Sequence, residues 1–363
     1  SIQQDENDNE LDVNYVEIIW YTFLEVSQIK NLKKVPVTDD PEHRDVKAIM
    51  FMYSLDCFLF GRLNKISRDK DSSAIETLGP FSVALPKIIN NISEISQKYD
   101  AIVFDQWGVL HDGKLAYEGV IACLEGLKKN NTRLAVLSNS GKRSEPNEKR
   151  ILEMGFSNLL FEFIMTSGEA LWRDIAYKII KEKSFFPIER NLGDAKVWAN
   201  GLEISLEYSI DSAQAILLMG LPDDDDLKAW QAILAKGLAL NIPLYCSNPD
   251  LLSIRPGKKL ITAPGLLAEY YSEGGGEVIY YGKPHKQVFK NLQTILNSNR
   301  LLMIGDSLDH DILGGYAMGW DTLLLLSGVH ASDFVNGDHG AILEKIIQEK
   351  GYSRPTYMME RLK

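Results

Sequence analysis

Residues 101–113 read AIVFDQWGVLHDG, and this stretch decides the fold. Ala101 to Phe104 form a short apolar run with no polar face, the pattern of a strand covered on both sides, and the run stops at Asp105. The pattern repeats outward. RLAVLSNS (133–140) supplies a second such strand, with Ser138 at its end, and FEFIMTS (161–167) a third. Helical spacing near Gly119 to Lys129 and Ser144 to Met154 fills the intervals. The texture returns in EVIYYGKP (277–284), RLLMIGDS (300–307) and DTLLLLSG (321–328). Apolar strands alternating with helices predict an α/β protein built on a Rossmann-like parallel sheet. Between the two halves, around Gly168 to Lys258, AQAILLMG, a helix over Asp223 to Leu240 and PLYCSNPD predict a smaller α/β unit inserted into the larger one.

Each strand of the larger unit is expected to end in a particular polar residue: Asp105, Ser138, Lys283 after EVIYYG, and Asp306 after LLMIG. Residues just past the carboxyl ends of an open parallel sheet converge on one crevice. Two carboxylates with a backbone carbonyl and waters suit Mg²⁺, a hard cation that prefers oxygen. An ammonium and a hydroxyl beside them would bind the oxygens of a phosphate, and Asp105 is placed to attack phosphorus.

FDQWGVLHDG (104–113), LSNSGKR (137–143), YYGKPHKQVF (280–289) and MIGDSLDHDILGG (303–315) together resemble the four ordered motifs of the haloacid dehalogenase superfamily, specifically its NagD-like subfamily IIA phosphatases. The likeness runs from roughly Phe81 to Val329. It implies a core in two parts, 80–167 and 259–363, the second ending in a C-terminal helix and tail, with a C2-type cap over 168–258. It also implies Mg²⁺-dependent phosphoryl transfer from a small phosphorylated metabolite, and suggests a cap-to-cap homodimer. By motif position Asp105 resembles the nucleophile, Ser138 the phosphate-binding hydroxyl and Lys283 the charge-neutralising lysine. Trp107, Gly108, Ser138, Asn139 and Lys283 fall where phosphate or substrate is held. Asp105, the backbone carbonyl of Trp107, Asp306 and Asp311 fall where metal is held.

One position departs from the family. Phosphatases of this superfamily usually carry a second aspartate two residues after the nucleophile, to protonate the leaving group and deprotonate water; here it is Trp107. A positioned acid/base is worth on the order of 10² to 10⁴ in rate, and indole cannot supply it. His111 and Asp112 are the nearby substitutes. The alternative is a catalytically impaired relative that binds a phosphorylated ligand or a protein partner. Trp107 itself reads either as packing under the cap or as a stacking surface for a flat substrate group.

The rest of the chain bounds the reading. With 363 residues, 45% apolar and 25% charged, it is long enough for more than one core and is neither fibrous nor wholly disordered. A net charge of −11 argues against nucleic acid as the main partner. Cys57, Cys123 and Cys246 are far apart and form no C-x-x-C pair, so they read as buried thiols in a reducing compartment. The apolar stretch from Ala48 to Gly61 is interrupted by Asp56 and too short to span a bilayer. The acidic start SIQQDENDNELD is unlike a signal or transit peptide, and a cytoplasmic location is expected, a transit peptide already removed being the exception. Residues 1–79 read as a helical extension of unassigned role. Asp223 to Asp226 most simply cap the helix that follows them, and Arg255, Lys258 and Lys259 read equally as a solvated basic loop or as contacts for an anion. His285 and His310 have no partners at zinc spacing.

Overall fold

The computed structural model describes residues 85–222, 227–255, 259–335 and 337–363. The expected helical extension over 1–79, Cys57, the acidic run Asp223 to Asp226 and Lys258 lie outside them. In chain order the strands are β1 (Lys87–Ile88), β2 (Ala101–Phe104), β3 (Arg133–Ser138), β4 (Phe163–Thr166), β5 (Ser184–Ile188), β6 (Ser205–Leu206), β7 (Ala215–Leu218), β8 (Leu244–Cys246), β9 (Leu252–Arg255), β10 (Lys259–Thr262), β11 (Val278–Tyr280), β12 (Leu301–Gly305), β13 (Asp321–Leu325) and β14 (Tyr357–Met359). The α-helices are α1 (Val120–Lys129), α2 (Ser144–Glu153), α3 (Ser167–Ala176), α4 (Asp194–Trp198), α5 (Leu227–Leu240), α6 (Pro264–Glu273), α7 (Lys286–Leu296), α8 (Leu313–Ala317) and α9 (His339–Lys350).

Seven parallel strands form the main sheet in the order β1-β14-β13-β12-β2-β3-β4. The pleat sends alternate residues to opposite faces, and both faces are covered. Ile102, Phe104, Leu134, Val136 and Ile304 pack with Val120 and Leu124 of α1 and Ile151 of α2. Ala101, Val103, Ala135, Leu137 and Met303 pack on the other side with Leu171 of α3 and with Val288, Phe289 and Leu292 of α7. Two-sided burial is why these strands carry no polar face in the sequence.

The chain runs from β2 out to β3 and β4, then returns on the other side of β2 through β12 and β13. The strand order therefore reverses between β2 and β12, the position where open α/β sheets bind ligands. Register sets the level of the crevice: Phe104 lies opposite both Val136 and Ile304, so Asp105, Ser138 and Asp306 emerge from one carboxyl edge.

A second parallel sheet, ordered β11-β8-β7-β5-β6, forms the inserted unit. One face, with Ile188, Ile216, Leu218 and Leu244, packs on Leu234 of α5 and on Leu267 and Tyr271 of α6. Its other face joins the apolar cluster shared with α3 and α7, through Phe185, Leu217 and Tyr245. Here the structure corrects one expectation. EVIYYG reads as a strand of the larger sheet, yet β11 pairs with β8 of the second, and Lys283 lies on the crossing back. Consequently the second sheet draws a strand from beyond residue 258. Cys123 and Cys246 are free thiols, with burial pushing Cys246 up to about 12. No described helix is long and apolar enough to cross a membrane.

Candidate active site

Asp105 leaves β2 with its N–H donating to Ile304 O at 2.8 Å, which ties it to the neighbouring strand. Its carboxylate accepts from Lys283 Nζ at 2.5 Å, and the same ammonium donates to Asp311 Oδ1 at 2.7 Å. All three side chains are largely withdrawn from solvent, Asp311 completely so. Asp311 sits in a single π-helical turn, Leu308–Ile312, that opens on Ser307. Its other oxygen accepts from Ser307 N–H at 3.2 Å. Asp306 accepts from Val329 N–H at 2.8 Å. Oxygens of Asp105, Asp306 and Asp311 all lie within 4.8 Å of one another.

Glycines make this crowding possible. A Cβ on Gly305 would collide with the Asp311 carboxyl group, and one on Gly108 or Gly328 would collide with that of Asp306. Gly108 also has a φ of +83°, which side-chain-bearing residues rarely adopt.

Three carboxylates and one ammonium leave two negative charges uncompensated in a buried space. The titration behaviour follows. Burial pushes Asp105 up to about 6, with Lys283 opposing and Asp311 adding to the rise. Burial, then the charges of Asp105 and Asp311, pushes Asp306 up to about 7. For Lys283, burial works against the charged form, but the two carboxylates outweigh it and hold the ammonium above its ordinary value. An all-oxygen donor set with a surplus of two negative charges fits a hard divalent cation.

Other expected residues take different places. Ser138 is buried at the end of β3, its carbonyl accepting from Ser167 Oγ at 3.3 Å. Asn139, expected at phosphate, has its amide committed elsewhere. Its Oδ1 accepts from Lys283 N–H at 2.6 Å, and its Nδ2 donates to Lys283 O at 3.1 Å and to Asp250 at 2.9 Å. It clamps the backbone of the lysine. The N–H of Gly108 likewise donates to His111 O at 3.1 Å within the flap. Trp107 is 51% exposed, its indole lying across Gly113 and meeting His111 edge-on at 6.2 Å.

Neither flap substitute for the absent aspartate joins the cluster. His111 is buried, its Nδ1 accepting from Gly113 N–H at 2.9 Å, and burial pushes it down to about 4. The Asp112 carboxylate accepts from the N–H groups of Leu115 and Lys114, each at 2.8 Å, and these hold it below its usual range. Asp309 turns onto Ser307 Oγ rather than toward the other acids. His285 stacks on Tyr280, ring centres 4.4 Å apart. Sequence reasoning missed Asp250, Gly305 and Gly328. The short runs NPD and SG were the available signals, but their meaning depends on contacts distant in the chain.

A cleft of about 800 Å³ opens between the loop after β3 and the inserted unit, lined among others by Ser140, Arg143, Glu169, Trp198 and Asn248. None of the four charged residues lines it. The carboxyl groups with raised titration sit in the buried cluster and not along this cleft.

Comparison with known proteins agrees with this fold. The family model of haloacid dehalogenase-like hydrolases matches residues 102–202, and a related HAD-hydrolase-like model matches 280–347. Chronophin of Bos taurus is 24% identical over 255 residues, 66% of this chain and 84% of that protein. Phosphoglycolate phosphatase 2 of Arabidopsis thaliana is 26% identical over 274 residues, 66% of this chain and 87% of that protein. A haloacid dehalogenase-like hydrolase from Brucella suis superposes with a TM-score of 0.62 at 24% identity, over 76% of this chain and all of that one. Across residues 102–202 and 280–347 the chain is thus similar to the haloacid dehalogenase-like hydrolases. NagD of E. coli K-12 shares the fold with a TM-score of 0.55 at 18% identity, over 72% of this chain and 96% of that one.

Proposed function

We propose that the protein hydrolyses a small phosphorylated metabolite through an aspartyl phosphate on Asp105, with Mg²⁺ as cofactor. The observation that carries this reading is the buried set of Asp105, Lys283, Asp306 and Asp311 at the switch point of the sheet. A relative that is named a phosphatase of phosphoglycolate supports it.

In the first step an Asp105 oxygen forms a bond to phosphorus and the bond to the leaving oxygen breaks, its electron pair departing with the leaving group. In the second a water oxygen attacks phosphorus, the Asp105 oxygen–phosphorus bond breaks, and inorganic phosphate is released. Lys283 neutralises charge on the phosphoryl oxygens while orienting Asp105, and Ser138 hydrogen-bonds them from the end of β3. Asn139 holds the Lys283 backbone in place. The carboxylates of Asp105, Asp306 and Asp311 with the Trp107 carbonyl would hold Mg²⁺, which when bound supplies charge neutralisation of the phosphate.

The test is phosphate release from p-nitrophenyl phosphate, acetyl phosphate and a phosphometabolite panel, in Mg²⁺ and in EDTA. Asp105→Asn is expected to lower turnover about 10⁴-fold or more. Trp107 favours a second reading, a binder of phosphorylated ligands. Tight binding of beryllium fluoride with no turnover of any compound would select it and reject the first.

A further inference from the structure

We propose that the site takes phosphoryl compounds whose leaving group departs without a proton, namely acyl phosphates, phosphoanhydrides and aryl or enol phosphates, in preference to alkyl phosphates. This deepens the phosphatase reading and rests on it.

The observation is the set of side chains on the flap that follows Asp105. Two residues on from the nucleophile stands Trp107, whose indole N–H does not exchange usefully near neutral pH. The neighbouring polar groups are poor acids for this purpose. His111 accepts at Nδ1 from Gly113 N–H, which puts the proton of the neutral ring on Nε2, buried and without a hydrogen-bond partner, and a neutral imidazole N–H is far too weak an acid. Asp112 faces back onto the amides of Lys114 and Leu115. The ammonium of Lys283 is shared between Asp105 and Asp311. Tyr117, on the same flap, is a phenol whose proton is held more tightly than usual by burial and by the charges of Asp112 and Asp306. Asp306 accepts from Val329 N–H and belongs to the set that would hold the metal, so among the described residues none in the flap is placed to protonate a departing alkoxide.

Leaving-group chemistry turns this into selectivity. An alkoxide is about as basic as hydroxide, whose parent water has a pKa near 15.7, so its departure leans heavily on a general acid. A carboxylate leaves with a conjugate-acid pKa of about 4 and a phosphate with one of about 6, and neither needs protonation at pH 7. Formation of the phosphoenzyme is then fast only for the second class. Its hydrolysis lacks a base for every substrate, so phosphoenzyme accumulates.

The experiment measures kcat/KM, which reports the first irreversible step, in Mg²⁺ across acetyl phosphate, nitrophenyl phosphate, phenyl phosphate and glycerol phosphate. It is run on the full chain as wild type, Trp107→Asp and Tyr117→Phe. The wild type is expected to fall steeply along that series, with a burst of one nitrophenolate per active site. Trp107→Asp is expected to recover about 10² to 10⁴ of the deficit on glycerol phosphate and to remove the burst. Tyr117→Phe is expected to leave the slope unchanged. Equal kcat/KM for alkyl and aryl phosphates in the wild type would overturn the inference and leave the phosphatase reading standing. So would a slope that steepens in Tyr117→Phe, which would identify that phenol as the acid. No Asp105-dependent turnover of any member, acetyl phosphate included, would sink both readings together. The wild-type series decides the matter even if Trp107→Asp fails to fold.

Discussion

Replacing Lys283 by Met removes the ammonium that sits on two buried carboxylates while keeping most of the stem's volume. Lys283 Nζ lies 2.5 Å from Asp105 and 2.7 Å from Asp311, with side-chain exposures of 4%, 13% and 0% for the three residues. Removing one partner of a buried ion pair strands the other, at about 3–5 kcal/mol. For a unit of this size each kcal/mol moves the melting temperature by about 2–4 °C, so a fall of about 6–20 °C is expected in EDTA. The loss has a pH signature. With the ammonium gone, Asp105 and Asp311 face Asp306 uncompensated, and protonation relieves the strain, so the deficit at pH 5 is smaller than at pH 8. Thermal unfolding of wild type, Lys283→Met, Asp311→Asn and the double variant closes a cycle, in which a coupling of about 0.5–3 kcal/mol is expected. A single-variant cost below about 1 kcal/mol at both pH values, or no rescue by Asp311→Asn, would refute the idea that unpaired buried charge governs this site.

Three further outcomes are expected. Asp105 and Asp306 have folded-state values of about 6 and about 7, above their ordinary 3.8. The folded metal-free protein therefore binds protons more tightly than the unfolded chain, and its stability declines as pH climbs from about 4 through 7. Mg²⁺ should offset this, so its gain in melting temperature should be larger at pH 8 than at pH 5, with protons released on calorimetric titration; a pH-independent gain would contradict the assignment. Gly328→Ala, which drives a Cβ into the Asp306 carboxylate, should weaken Mg²⁺ binding about 10- to 100-fold while circular dichroism stays native. Asn139→Leu, which frees the Lys283 backbone, should lower kcat about 10²-fold with a smaller change in KM, and an unchanged kcat would remove the positioning role.

How much of this was legible in the sequence depends on the range of the interactions involved. AIVF, LAVL and LLMIG announce strands buried on both faces because their lack of alternation is a local property, and the polar residue closing each is equally local. Asp105, Ser138 and Asp306 were singled out that way, and Asp311 by its motif position. The apolar triad VIY of β11 is just as clear a strand, but nothing in three buried residues says which sheet it joins, and the wrong sheet was expected. Asn139 was singled out by motif, but its contacts were illegible for a related reason: its amide is used by residues 111 and 144 positions away. Gly108 was recognised by motif, yet its N–H points into the flap because the turn to His111 needs it there. Gly305 and Gly328 matter through what a side chain would strike, which only packing reveals.

The path of Lys283 gives the misplaced strand its significance. An ammonium delivered from a strand of the main sheet would be fixed by that sheet's hydrogen bonds, as Asp105 is. Lys283 instead arrives on the chain leaving the second sheet, and its position has to be set by side chains. Tyr281 N–H is still held by the second sheet, donating to Cys246 O at 2.8 Å, while its hydroxyl donates to Asp174 of α3. Two residues later the backbone is held by Asn139 from the main sheet's crevice. The same Asn139 amide donates to Asp250, on the loop after β8 of the second sheet. One side chain thus joins the loop after β3, the inserted unit and the lysine paired with Asp105. The seating of the inserted unit and the electrostatics of Asp105 are linked through these contacts, so Asp250→Ala is expected to perturb Asp105 without touching it.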